Sequence, residues 1–526
     1  MALANFFEKV SLGASQILEN YSGENFKKIL LSQRVAIVYS DNAYSTYEGK
    51  IALELLVRLS ARLYPNLQIH NLSKNKEFND SLQELAKSIN PKINLSTKRK
   101  PTVSLIAGKI GKYPDGKRIF LGSDGWVSKF SLNKQQGFNQ TTNPFGASAA
   151  ACFASSNLFR LVFKNHLPKG QLDDEFTFSV LTLEKDPVDY TSVDISNVNI
   201  GTFHLVGLGA IGNGVTWILK HLDLEGQLHL IDKEVVDLSN LQRYILCDQS
   251  SYQSQKPKVE LMKAQFNSKL EVTSHRNTWE EFINARKDFK IEKVGLCVDS
   301  AKDRVAVQGA LPKQIWNSWT QQESIGVSRH FDFLSDPCVS CLYLPETKTA
   351  NKSELIASSL GITEQERIVR DYLAEEKRMD IALLQLISQA RGIDITKLTQ
   401  FEGLYLDEFY SKVICGGILM EIEGSSKNNS SVEEVPSAFE SVMAGILLAA
   451  EIVIQGLGVE RNVDEITSLN MMRPISKYIN EGEKKHISGN CICQDPVYQE
   501  VYKSKWLGQI EKICSKMEFS WILQMI

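Results

Sequence analysis

The chain has 526 residues, 43% of them hydrophobic and 23% charged, which is apolar side chain enough for several cores and length enough for about three or four domains of ordinary size. Its 59 Lys and Arg against 62 Asp and Glu leave a net charge of -3, which excludes a global basic field for holding nucleic acid. Glu8 and Lys9 interrupt the first apolar residues too early for an export signal, and nine cysteines in a chain this long are not a secreted disulfide framework. A reducing cytoplasm is the expected setting, with thiols free for metal or catalysis.

The first third alternates strand and helix patterns. Val35 to Tyr39 reads as a strand, Ile51, Leu53, Leu55, Leu56 and Leu59 as a helix, Val103 to Ile106 and Arg118 to Leu121 as strands, and Ala147 to Phe163 as a small-residue helix. After the first strand the chain runs Ser40-Asp41-Asn42-Ala43, with no glycine-rich turn to cradle a phosphate. Asp186 to Asn199 suits a linker. A βαβ unit follows it: a strand at Thr202 to Val206, a glycine turn, a helix with Val215, Ile218, Leu219 and Leu222 on one face, and a strand at Leu228 to Ile231. Lys352 to about Lys412 reads as a charged helical insertion, and Glu423 to Val435 as a mobile polar loop. Val442 to Leu457 is the most apolar stretch; it contains Glu451 and falls short of the roughly 20 residues of a bilayer span, so a core helix and no membrane are expected.

Gly207-Leu208-Gly209-Ala210-Ile211-Gly212 follows a strand and opens a helix, where backbone N–H groups can meet phosphate oxygens. Alone, the motif favours a dinucleotide oxidoreductase. Asp232, at the end of the next strand, can accept hydrogen bonds from a ribose under either reading. The polar run Asp237-Leu238-Ser239-Asn240-Leu241-Gln242-Arg243 discriminates, because adenylyl transfer needs donors around a triphosphate and a nicotinamide enzyme does not. Gln255-Lys256-Pro257-Lys258 comes next, and a strand at Val294 to Val298 leads to Asp299-Ser300-Ala301-Lys302-Asp303-Arg304, where an acid at a strand's C-terminal end can hold Mg²⁺.

This ordered set resembles the adenylation domain of the ThiF, MoeB and ubiquitin-activating enzyme superfamily. The resemblance implies that Gly207, Gly209, Gly212 and Asp232 bind ATP, with Asp232 on the ribose. It further implies that Asn240, Arg243 and Lys258 contact the phosphates, Arg243 and Lys258 catalytically, that Asp299 coordinates magnesium, and that Arg304 supports the strand end. The expected architecture is α/β, with two Rossmann-like adenylation-type domains and a helical cysteine-bearing insertion. Residues 1–190 would form an inactive adenylation-like domain and 195–350 the active one. Residues 351–435 would be the insertion, 436–500 the return of the active domain, and 501–526 a helical tail. The first unit resembles the inactive half of stand-alone activating enzymes from bacterial ubiquitin-like conjugation operons.

Cys415 precedes two glycines that remove bulk near its sulfur, and its place before a polar loop resembles the thioester-forming branch. Cys338 and Cys341, with Cys491 and Cys493, can make a Cys₄ zinc site, as members of this superfamily often do. Cys152, Cys247, Cys297 and Cys514 read as structural, and the histidines have no assigned role. The implied enzyme uses ATP and Mg²⁺ to activate a ubiquitin-like protein and passes it to a conjugating enzyme, in a setting of phage defence. A sulfur-carrier adenylyltransferase and a nucleotide-binding scaffold are the alternatives. Whether two copies pair is left open, as is the choice of Arg34, Arg58 or Arg62 as an arginine reaching in from the first domain.

Overall fold

The computed structural model describes residues 2–73, 75–189, 192–266, 269–286, 290–321, 324–344, 352–410 and 434–507. Cys415 and Cys514 lie outside them, as does most of the polar stretch 423–435.

After helix α1 (Phe7–Ile17), the first α/β unit alternates β1 (Val35–Tyr39), α2 (Tyr47–Leu63), β2 (Leu67–Asn71), α3 (Lys76–Ile89) and β3 (Val103–Ala107). It then continues through β4 (Lys117–Asp124), β5 (Val127–Ser131), α4 (Phe145–Val162), β6 (Glu175–Ser179) and β7 (Glu184–Lys185). The sheet order is β2-β1-β3-β4-β5-β6-β7, parallel from β2 to β4 and antiparallel beyond. Every residue of β1 is buried: Val35, Ile37 and Tyr39 join the main core on one face, and Ala36 and Val38 pack on the other against Ile106, Ile110 and Phe120, so neither face is left polar.

The second unit repeats this logic. β8 (Val198–Val206), α5 (Ala210–Leu219), β9 (Leu224–Ile231), β10 (Glu271–His275) and β11 (Lys293–Leu296) are followed by β12 (Gln314–Gln321) and β13 (Ser324–His330). After the insertion come α6 (Ala438–Leu457), β14 (Ile466–Leu469), β15 (Asn480–Glu481) and α7 (Pro496–Trp506). The order β10-β9-β8-β11-β12-β13-β14-β15 is parallel up to β12 and antiparallel after it. The expected two-sheet α/β architecture is thus present. The antiparallel strands β5, β6, β7, β13, β14 and β15 are additions that the sequence patterns did not single out, as are the parallel strands β2, β10 and β12.

α4 packs on α2 in the first unit, α6 packs on α5 in the second, and α4 meets α6 between them. Gly214 and Gly445 let α5 and α6 touch backbone to backbone: a Cβ on Gly445 would stand 2.6 Å from the Gly214 backbone. Across the units Trp217 Nε1 donates to Ser148 Oγ at 3.0 Å, and one continuous apolar core runs through both. By length and composition α6 could cross a membrane, yet its residues from Ala438 to Ile454 are buried in this core. Glu451, the acid inside it, pairs with Arg329 at 2.6 Å and with Arg461, which removes the cost of burying a lone charge. Residues 352–410 are a set of helices with a separate core of Ile356, Leu360, Leu384, Ile387 and Phe409.

In each sheet the chain order reverses direction beside the first strand, which is where open α/β sheets form a ligand crevice. In the first unit that turn is closed by its own side chains. Asn42 Oδ1 accepts from the Lys109 N–H at 3.0 Å, and Ser40 Oγ donates to the Lys109 carbonyl at 2.8 Å. In the second unit the turn is the glycine run.

Candidate functional site

β8 delivers the chain to Gly207, whose φ of +88° suits glycine and whose Cβ, if present, would stand 2.8 Å from the Cys297 carbonyl. Gly209 is the N-cap of α5, and Gly212 packs so close to the turn that a Cβ would sit 2.5 Å from the Gly207 oxygen. The result is a backbone cradle at a helix N-terminus, facing a cleft of about 690 Å³ lined by Gly207, Gly209, Asp232, Arg243, Lys258 and Asp299.

Asp232 ties this cradle to β9. Its Oδ2 accepts from the Leu208 N–H at 2.7 Å and its Oδ1 from the Glu234 N–H at 2.8 Å. Burial pushes its pKa up, against the pull of Lys258 and these two N–H groups. Lys258, 3% exposed, places Nζ 2.5 Å from Glu234 Oε2 and 2.9 Å from the Tyr244 hydroxyl. Burial opposes its charge, but Tyr244, Asp232 and Glu234 together outweigh burial and hold the ammonium protonated. Asp299 is exposed at the cleft rim, three residues past β11. Arg304 is buried behind it and donates to the carbonyls of Ser318, at 2.7 Å, and Val298, so it braces the strand ends as expected.

Asn240 is one of two sequence-predicted residues that the structure does not bring to the cleft lining. Its Oδ1 accepts from the Asp237 N–H at 3.0 Å, and with the Asp237 carboxylate on the Ser239 N–H it closes the helical turn Leu238–Gln242. Gly212 likewise shapes the cradle without lining the cleft. Residues the sequence reading missed include Tyr244 and Glu234, which flank Lys258, and Trp319, Thr320 and Gln321 at the end of β12. The rule that ligands bind at the C-terminal ends of parallel strands could have pointed to the last three.

A second cluster lies where the segment after β13 meets the segment before α7. Cys338 and Cys341, at the start of a short helix, meet Cys491 and Cys493, with Sγ–Sγ separations of 3.4 Å for 338–491, 341–491 and 341–493. All four are buried, unpaired by disulfides, and within 4.8 Å of one another. Four convergent thiols are a donor set that fits tetrahedral zinc, and the tight second pair does not prevent convergence. Cys152, Cys247 and Cys297 are buried thiols whose pKa burial pushes up, as structural cysteines require.

The histidines, given no role from sequence, include a stacked group. His204 and His229 have ring centroids 4.6 Å apart, and His229 Nδ1 lies 3.0 Å from His275 Nε2. Burial, with His229 and Arg286, pushes the His204 pKa down to about 3, and burial pushes His221 and His330 down to about 4. The native state therefore binds fewer protons here than the unfolded chain does. Stability is full above the unfolded value of about 6.5 and falls as the pH drops from there toward 4. Melting temperature measured from pH 7.5 to 4.5 is expected to decline below pH 6.5, and His204→Phe is expected to flatten that decline. A wild-type melting temperature constant over this range would refute the assignment of these rings as neutral buried groups.

Residues 189–486, more than half of the chain, match the family described as ThiF family. This chain belongs to the ThiF family. Membership places it in the superfamily of ThiF, MoeB and ubiquitin-activating enzymes, and so among ATP-dependent adenylyltransferases. Residues 38–164, inside the first unit, match the family described as Prokaryotic E2 family C. The chain is similar to "Uncharacterized protein y4jF" of Sinorhizobium fredii (strain NBRC 101917 / NGR234), 38% identical over 517 residues that cover 98% of this chain and 99% of that one. Among solved structures it is similar to E. coli MccB with ATP (12% identity, 72% of this chain, 98% of that chain, TM-score 0.33). It is also similar to E. coli MccB with MccA-N7isoASN (13% identity, 55% of this chain, 66% of that chain, TM-score 0.34), a likeness too distant to bear on substrate.

Proposed function

We propose that this ThiF-family chain adenylylates the C-terminal carboxylate of a ubiquitin-like protein and then carries it as a thioester on Cys415. The observation that carries the reading is the pairing of a glycine cradle with the buried ammonium of Lys258, the guanidinium of Arg243 and the exposed carboxylate of Asp299 around one cleft. A carboxylate is a poor electrophile. Attack of its oxygen on the α-phosphorus of ATP forms an acyl-phosphate bond and breaks the bond to pyrophosphate, which leaves. Lys258 and Arg243 offset the charge that builds on the phosphate oxygens, Asp232 holds the ribose, and Asp299 would hold a magnesium ion, which would supply further positive charge to the phosphates. The Cys415 thiolate then attacks the acyl carbon and AMP departs, leaving a thioester for a conjugating enzyme.

The resemblance to activating enzymes of bacterial conjugation operons supports a cytoplasmic role in phage defence, with a structural zinc at the four cysteines. The test is mass spectrometry of the chain with ATP, Mg²⁺ and a ubiquitin-like protein from the same operon, for wild type and Cys415→Ala. The expected result is an adduct that reductant removes and the variant lacks. Pyrophosphate release with no adduct would instead favour a sulfur-carrier adenylyltransferase, and neither signal would leave a scaffold.

A further inference from the structure

Arg243 to Asp248 crosses from the turn Leu238–Gln242 to the helix Gln249–Gln253 without regular structure of its own, so its carbonyls need partners from elsewhere. They find them in the first unit. Arg62 Nη2, on α2, donates to the carbonyls of Tyr244 and Cys247, each at 2.7 Å, and Arg58 Nη1, one turn earlier, donates to the Ile245 carbonyl at 2.8 Å. Arg62 is 3% exposed, and among the described residues no carboxylate pairs with it; its Nη1 donates to the Arg58 carbonyl at 2.5 Å. A buried guanidinium solvated by backbone carbonyls fixes where that backbone runs.

The segment so fixed is the one that shapes the cleft. Arg243 lines it directly. The Tyr244 hydroxyl accepts from Lys258 Nζ at 2.9 Å and stands 3.3 Å from where a Cβ on Gly209 would be, so this ring is a strut between the glycine cradle and the buried ammonium. On its far side the segment is tied to the same cradle: the Leu246 N–H donates to Asn213 Oδ1 at 3.2 Å, while Asn213 Nδ2 donates to the carbonyls of Leu208 and Gly209 at 3.1 and 2.9 Å. Arg34 takes no part, since it is spent on the Lys100 carbonyl.

We infer that Arg62 is a positioning residue of the nucleotide site: from the first unit it holds the Tyr244 backbone, and through the Tyr244 hydroxyl it sets Lys258 against the phosphates. Neither Arg58 nor Arg62 lines the cleft, so the first unit acts on the nucleotide through the second unit's backbone.

The inference rests on the cleft being an ATP site, and calorimetry on the full chain separates the two. ATP with Mg²⁺ is titrated into wild type, Lys258→Ala, Arg62→Lys and the double variant, with AMP as the probe of the ribose end. Arg62→Lys is expected to weaken ATP about five- to tenfold, as loss of a strong hydrogen bond would, and to leave AMP within about twofold. The double variant is expected to bind no more weakly than Lys258→Ala alone, because both changes act through one group. Arg62→Gln, which keeps a donor without a buried charge, is the second variant. Equal losses for ATP and AMP, additive losses in the double variant, unchanged ATP binding, or failure of both Arg62 variants to fold would each overturn the inference while the ATP reading stands. Wild type that binds no ATP would overturn both.

Discussion

Lys258→Ala lowers ATP-dependent pyrophosphate release, assayed with a ubiquitin-like protein as acceptor, by about two to three orders of magnitude, the loss typical of removing one preorganised donor to a developing oxyanion. The size follows from burial. Lys258 is 3% exposed and its Nζ is held by Glu234 and Tyr244, so its charge acts on a phosphate through protein and not through water. Its raised pKa means that no change within the working pH range discharges it. Arginine should not rescue the loss, because a planar guanidinium cannot occupy the point between the Glu234 carboxylate and the Tyr244 hydroxyl. Tyr244→Phe should cost less, since it removes one anchor of the ammonium and not the ammonium itself. A Lys258→Ala enzyme within about threefold of wild type would mean that charge stabilisation at this cleft comes from elsewhere.

The second large effect is expected at the cysteines. Cys491→Ser removes one of the four convergent thiols and is expected to abolish stoichiometric zinc and lower the melting temperature by about 4 °C, the order that a loss of several kcal/mol produces in a chain of this size, where the melting entropy is about 1 kcal/mol per degree. The site joins the segment after β13 to the segment before α7. Around it pack Phe333 and Tyr502, whose rings stack at 5.0 Å, so loosening the thiols exposes apolar surface. Metal analysis of purified wild type, followed by melting with and without a strong chelator, is the measurement. Wild type that holds no zinc and melts identically with chelator would make these four thiols a packed apolar cluster and nothing more.

Much of this was legible in the sequence because it is local. Parallel strands buried on both faces read as runs such as Val35 to Tyr39, and glycine at 207, 209 and 212 reads as a turn because side chains cannot occupy the space the turn leaves. The core helix was legible because Glu451 interrupts its apolar run, although the helix is 20 residues long, more than the run suggested; the ion pair of Glu451 with Arg329 is visible only in the fold. The match of residues 38–164 to Prokaryotic E2 family C was not foreseen, since the first unit carries no turn chemistry that distinguishes it from other α/β sheets.

By itself the sequence determined which groups are present: a glycine turn opening a helix, an ordered set of cations and acids after it, and two cysteine pairs able to hold zinc. Tertiary structure decided which of those groups meet. Asn240 and Arg243 stand three residues apart, yet one closes the turn Leu238–Gln242 and the other faces the cleft, because the Asn240 side chain is spent on the Asp237 N–H while Arg243 is the C-cap, where the backbone has left the helical conformation. Tyr244 and Arg62 carry no motif at all; they meet because α2 of one unit lies against a loop of the other, and that contact between residues so distant in the chain comes with the packing of α4 on α6 and not from any local pattern.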